Sequence, residues 1–173
     1  VSGQNWSYEL RHSAAYPYSP EWAHQLTVAA QLSAAQYMQL HKDYGHLLAE
    51  TVQQFIKDHE LDFQVQLIGN FGHRIFQNQP YQLGDSAAIA AVTGVNVVSD
   101  FININLALGG TSANVFSVAK KLLPAIEIAE FSNALLAAFF AVLRWREENN
   151  VLAANTGAAR DSIGGAVWIG QEW

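Results

Sequence analysis

Asp100 is the carboxylate with the most telling setting. It follows Val95, Val97 and Val98, whose β-branched bulk reads as a buried strand over residues 95–101. A carboxylate at the carboxyl end of a strand in an α/β sheet stands where ligands usually bind. An Asp there can equally cap the next turn through backbone N–H groups, and spacing alone favours the cap. With Glu130 or Asp85 as a second carboxylate, Asp100 also fits hydrolysis of a glycosidic bond. His73, in the run Asn70-Phe71-Gly72-His73-Arg74, carries an imidazole that donates or accepts near neutral pH. A lone loop histidine is more often a surface residue. Gln82, Gly84 and Asp85 make a polar turn in which Asp85 reads first as a helix cap. Gly109 and Gly110 can aim backbone N–H groups at an anion, and a plain turn explains them equally well.

Other chemistries find no support. With no cysteine there is no disulfide, thiol catalysis or zinc–thiolate site. His41 and His46 are five apart, slightly off one helical face, which is poor spacing for a metal. GxxxxGK[ST] and GxGxxG are absent, and Ser86 lacks a GxSxG setting. The net charge is −6, and Lys120-Lys121 is the one adjacent basic pair, so no nucleic-acid partner is expected. The longest apolar run, residues 134–143, is far below the roughly 20 residues of a membrane span. No signal peptide is read at residues 1–10, and a cytoplasmic location is expected. Only 14% of the residues are charged, so some apolar surface is expected to meet a partner, in a homo-oligomer.

These side chains need elements to hold them. Trp6, Tyr8 and Leu10 alternate, which predicts a strand over residues 5–12. Were that strand left at a sheet edge, it would invite pairing with another chain. Ser19-Pro20-Glu21 starts a helix running to residue 31. Ser33 caps a second helix to about residue 59, with Tyr37, Leu40, Tyr44, Leu47, Leu48, Val52, Phe55 and Ile56 on one face. Residues 63–68 alternate as a strand, and 69–80 form a polar connection. Residues 85–92 are a helix stopped by Gly94, and 111–114 a loop. Residues 115–123 are a short helix ended by Pro124. Residues 131–148 are a helix capped by Ser132 or Glu130, apolar nearly all round and so buried. Residues 151–153 and 165–169 are short strands. At 173 residues the chain fits a single α/β domain over 1–173, able to bury roughly 70% of its unfolded surface.

The run LGDSAAIAAVTGVNVVSDF, then ALGG, resembles the anhydro-N-acetylmuramic acid kinase family, sugar kinases of the actin and hexokinase-like class. PYSPEWAHQL, YGHLLAETVQQFI and the stretch from EFSNALL to GGAVWIG extend the resemblance over nearly the whole chain. It implies a ribonuclease H-like, actin-like ATPase lobe: a mixed sheet flanked by helices. It also implies the family reaction in peptidoglycan recycling, with ATP and Mg as cofactors. There Asp100 would be the general base for the water that attacks the anhydro-sugar, while the ring oxygen accepts the phosphoryl group. His73, Gln82, Asp85, Gly109, Gly110 and Glu130 would face an amino-sugar ligand.

The departures have a direction. Apolar positions match the family; polar ones change. Ile102 stands for the Arg of VVxDFR, Phe71 for a His, Arg74 for a Thr and Asn133 for a Glu. The opening hairpin with its Gly/Ser-Thr nucleotide loop has no counterpart. About fifteen residues after ALGG replace a long stretch bearing the second phosphate loop, far fewer than such a lobe needs. The expectation is a shortened, catalytically impaired homologue lacking the nucleotide hairpin and most of the second lobe. The alternatives are a non-enzymatic assembly protein and a sugar-binding remnant.

Overall fold

Ser19, Pro20 and Glu21 open the first helix. In the computed structural model, which describes residues 6–76, 81–123 and 131–171, Ser19 Oγ accepts the Trp22 N–H at 3.2 Å. Pro20 takes the first helical position of α1 (Pro20–Val28). A 3₁₀ turn, Ala29–Gln31, follows. Ser33 and Gln36 then close a reciprocal capping box at the head of α2 (Ala34–Asp58). Next come β1 (Leu67–Gly69), β2 (His73–Arg74), β3 (Gln82–Leu83), α3 (Ser86–Thr93), β4 (Asn96–Ser99), α4 (Asn103–Ala107) and α5 (Ser117–Leu122). The last three are α6 (Ser132–Trp145), α7 (Ala153–Thr156) and β5 (Ala166–Trp168). The class is mixed α/β.

The residues gather into two compact units. The sheet unit comprises Val1–Arg11, Leu67–Phe71 and Val98–Val167; the helical unit comprises His12–Gln66, Gly72–Val97 and Trp168–Trp173. A three-stranded sheet has the order β1-β4-β5. In the sheet unit, Val98, Phe101, Phe140, Leu143 and Val151 centre the core. Gly69 lets α6 close on β1, since a side chain there would lie 2.2 Å from the Ala137 carbonyl oxygen. In the helical unit the core is Leu26, Ala29, Leu40, Tyr44 and Leu83. There β2 pairs antiparallel with β3, His73 opposite Leu83 and Arg74 opposite Gln82.

Several elements differ from expectation. The strand over residues 5–12 is absent from the described residues 6–11. Trp6 is held by rings and charge instead: edge-on to Phe139 at 5.3 Å, with the Arg146 guanidinium 5.1 Å from its centroid. Tyr8 and Leu10 are exposed, so the alternation has no buried face to form. The edge-strand argument for pairing loses its strand. Phe63 leaves the predicted strand 63–68: it sits at φ +59, 97% exposed, and only Leu67–Gly69 joins the sheet. The connection 69–80 contains β2, and α4 lies where no helix was expected. Residues 151–153 give one bridge, Val151 to Ser162, and then turn into α7. Ser132 is the first residue of α6 rather than its cap, and Glu130 and Pro124 lie outside the described residues. Among the described residues no helix is long and apolar enough to cross a membrane.

Candidate functional site

In the helical unit, α2 shapes the turn Gln82-Leu83-Gly84-Asp85. Gly84 has φ +120, and a side chain on it would lie 3.0 Å from Leu48 Cδ1 and 3.3 Å from Tyr44 Cδ1. Its N–H donates to His41 Nδ1 at 3.1 Å, so that nitrogen is the unprotonated one. The Asp85 N–H donates to the His41 carbonyl at 3.1 Å. Asp85 Oδ1 accepts the Ala87 N–H at 2.9 Å and caps α3. Gly45 lets the helix pass this turn, because a methyl there would meet Asp85 O at 2.6 Å.

His73 is half-buried at the start of β2, walled by aromatic rings. Tyr18 lies edge-on to it at 6.4 Å and Tyr44 at 6.0 Å, and Trp22 packs edge-on to Tyr44 at 5.8 Å. The Tyr18 and Tyr44 hydroxyls are 2.5 Å apart. Burial first, then this hydrogen bond, pushes the Tyr44 hydroxyl well above the usual tyrosine range. Gly72, at φ +60, has no room for a side chain: a Cβ would lie 2.4 Å from Leu83 O. The imidazole therefore rests on a glycine turn and two tyrosine rings, with Trp22 behind Tyr44.

In the sheet unit, Asp100 follows the last residue of β4 and is half-buried. Its φ is +55, the left-handed region, which Asp tolerates better than most residues. Such a conformation costs about 1–3 kcal/mol and persists where surroundings over-determine it. The Ser99 hydroxyl donates to Asp100 Oδ2 at 3.2 Å. Ile102 is 4% exposed, and Phe71 packs edge-on against Phe101 at 5.4 Å and beside Phe116 at 5.0 Å. Ile102 belongs to the apolar core, and Phe71, partly buried, packs against it.

Gly109 and Gly110 end α4. Gly109 N–H donates to Leu106 O at 3.0 Å and Gly110 N–H to Asn105 O at 2.9 Å. A side chain on Gly110 would lie 2.4 Å from Asn105 Oδ1. Asn105, fully buried, gives its Nδ2 proton to Thr111 O at 2.8 Å and accepts the Thr156 hydroxyl at 2.7 Å. The turn is thus sealed by a satisfied polar network.

His73, Gln82 and Asp85 fall in the helical unit; Asp100, Gly109 and Gly110 fall in the sheet unit. Glu130 lies outside the described residues. Ser99, Tyr18, Tyr44 and His41 were not singled out as site residues by the sequence. Tyr44 had only a helix-face signal, His41 only its poor metal spacing with His46, and Ser99 only its place beside Asp100.

A model of the family described as anhydro-N-acetylmuramic acid kinase matches residues 2–133, well over half the chain. The anhydro-N-acetylmuramic acid kinase of Vibrio parahaemolyticus serotype O3:K6 is 38% identical over 82 residues, 43% of this chain and 22% of the relative. That of Pasteurella multocida is 30% identical over 115 residues, 61% of this chain and 30% of the relative. That of Actinobacillus pleuropneumoniae serotype 5b is 30% identical over 104 residues, 51% of this chain and 28% of the relative. The matched stretch spans less than a third of each relative's length.

Proposed function

The chain belongs to the anhydro-N-acetylmuramic acid kinase family, and from that premise we propose that it carries sugar-side residues of that kinase with impaired phosphoryl transfer. Asp100 is the base that takes a proton from water. His73, Gln82, Asp85, Gly109, Gly110 and Glu130 are the sugar-side residues, and the fold is a ribonuclease H-like lobe of the actin-like class. One observation carries this reading. Asp100 keeps its carboxylate in a strained strand-end position, while at the family's Arg and His positions Ile102 is buried in the apolar core and Phe71 packs against it. A cation at Ile102 would balance the site charge, and its loss removes the electrostatic part of the catalysis.

A kinase family implies ATP, with Mg, as phosphoryl source. Among the described residues no group of three or more His, Asp or Glu side chains is placed to hold a metal ion. The Gly109 and Gly110 N–H groups are taken by carbonyls at the end of α4. These residues do not fit a nucleotide phosphate and its metal, so no step is assigned through them.

The test is calorimetric binding of anhydro-N-acetylmuramic acid, paired with phosphoryl transfer from Mg-ATP, in the unchanged chain and in Asp100→Asn. Sugar binding without transfer is the expected result. Transfer that disappears in Asp100→Asn would overturn the impairment while keeping the kinase. Neither binding nor transfer would retire the sugar reading.

The second reading is an assembly protein, cytoplasmic and paired with a copy of itself. Apolar exposure favours it: Phe63 is 97% and Ile169 65% exposed, and Trp168 and Ile169 flank a hollow lined by Ala87, Ala90 and Ala91. Sedimentation at rising concentration tests it, and a monomer throughout would end it.

A further inference from the structure

Resting on the reading of Asp100 as the base, we propose that Ser99 is the positioning residue for its carboxylate. Successive side chains in a strand point to opposite faces, so neighbours in an extended chain do not normally meet. Ser99 is the last residue of β4, and Asp100 turns into the left-handed region at φ +55. That turn breaks the alternation, and the Ser99 hydroxyl reaches Asp100 Oδ2 at 3.2 Å. Ser99 is 5% exposed, so its hydroxyl is sheltered from water, which would otherwise compete for the same bond. The contact gives Oδ2 one fixed donor. By holding Oδ2, Ser99 sets the orientation of the base. The family pattern leaves this position open between the valines and the Asp, so the role belongs to the serine of this chain.

The full chain is labelled with carbon-13 at its Asp carboxyls and compared by NMR at one fixed pH as the unchanged chain, Ser99→Ala and Ser99→Thr. The Asp100 signal is the one missing from Asp100→Asn. Ser99→Ala should move the Asp100 carboxyl signal, Ser99→Thr should return it, and the signals of Asp43, Asp58, Asp62, Asp85 and Asp161 should stay in place. Ser99→Cys, close in size with a weaker donor, should fall between, and it serves if Ser99→Ala does not fold. An Asp100 signal equal in Ser99→Ala and the unchanged chain would overturn the proposal, whatever the sugar does. A moved signal in a chain that binds no anhydro-sugar would overturn the positioning role together with the base reading. The hydrogen bond would then be part of a strand-end cap.

Discussion

Tyr44 has its ring in the core of the helical unit and its hydroxyl 2.5 Å from that of Tyr18. Its ionisation is opposed by burial first and by the Tyr18 bond second. The sign follows from proton counting. Below the ordinary value of 10.0 both folded and unfolded chains hold this proton, and the stabilisation is intact. Above it the unfolded chain releases the proton while the folded chain keeps it, so stability falls with pH until the raised folded value is passed. Urea unfolding followed on either side of pH 10.0 should show this loss, and Tyr44→Phe should flatten it. At neutral pH that variant should cost about 0.5–1.5 kcal/mol for the lost hydrogen bond. Equal alkaline slopes in the two chains would remove Tyr44 as the source. The setting of His73 was not legible from its own neighbours in sequence, because Tyr18, Trp22 and Tyr44 come from distant segments. Asp100 was legible as a strand-end carboxylate, but its left-handed backbone and the Ser99 bond were not, since β propensity says nothing of where a strand's last φ turns.

At the scale of elements, local rules worked at the heads of α1, α2 and α3 and failed at α6, where Ser132 is the first helical residue and not the cap. Ser33 and Gln36 form a capping box whose bonds run between residues three apart. Ser33→Ala should therefore cost about 1 kcal/mol, read as a lower urea midpoint with an unchanged slope. A neutral result would mean that packing of Leu40, Tyr44 and Ala49 alone sets where α2 begins. The stop of α3 was equally local: Gly94, at φ +70, donates to Ala90 O at 3.0 Å. Strands were read less well, because alternation says which residues could share a face but not whether a partner strand is there. Trp6, Tyr8 and Leu10 alternate and form no strand, whereas His73 and Arg74 have no such pattern and pair with β3. The apolar α6 was legible as a buried helix. Trp145, 48% exposed at its end, shows that the burial is one-sided there.

At the scale of the molecule, the two units are interleaved along the chain, which passes from one to the other after Arg11, Gln66, Phe71, Val97 and Val167. Neither unit is a continuous segment that could fold from its own stretch of sequence. Strand β4 makes the point most sharply. Val97 belongs to the helical unit and Val98 to the sheet unit, and both are fully buried. Phe140 tests how far one of these units holds together. It is fully buried in the sheet unit, with ring contacts to Phe116 at 4.9 Å and Phe101 at 6.0 Å. Phe140→Ala should cost about 3–5 kcal/mol, a large share of the roughly 5–15 kcal/mol that holds a typical domain folded. Native-state hydrogen exchange then reads how that loss spreads within the unit. The amides of Ala141, beside the substitution, and of Val151, far along the chain in the same core, should speed up by the same factor. If Ala141 alone speeds up, the substitution opens α6 locally. The discontinuous segments of this core would then be independent in stability despite sharing one apolar cluster.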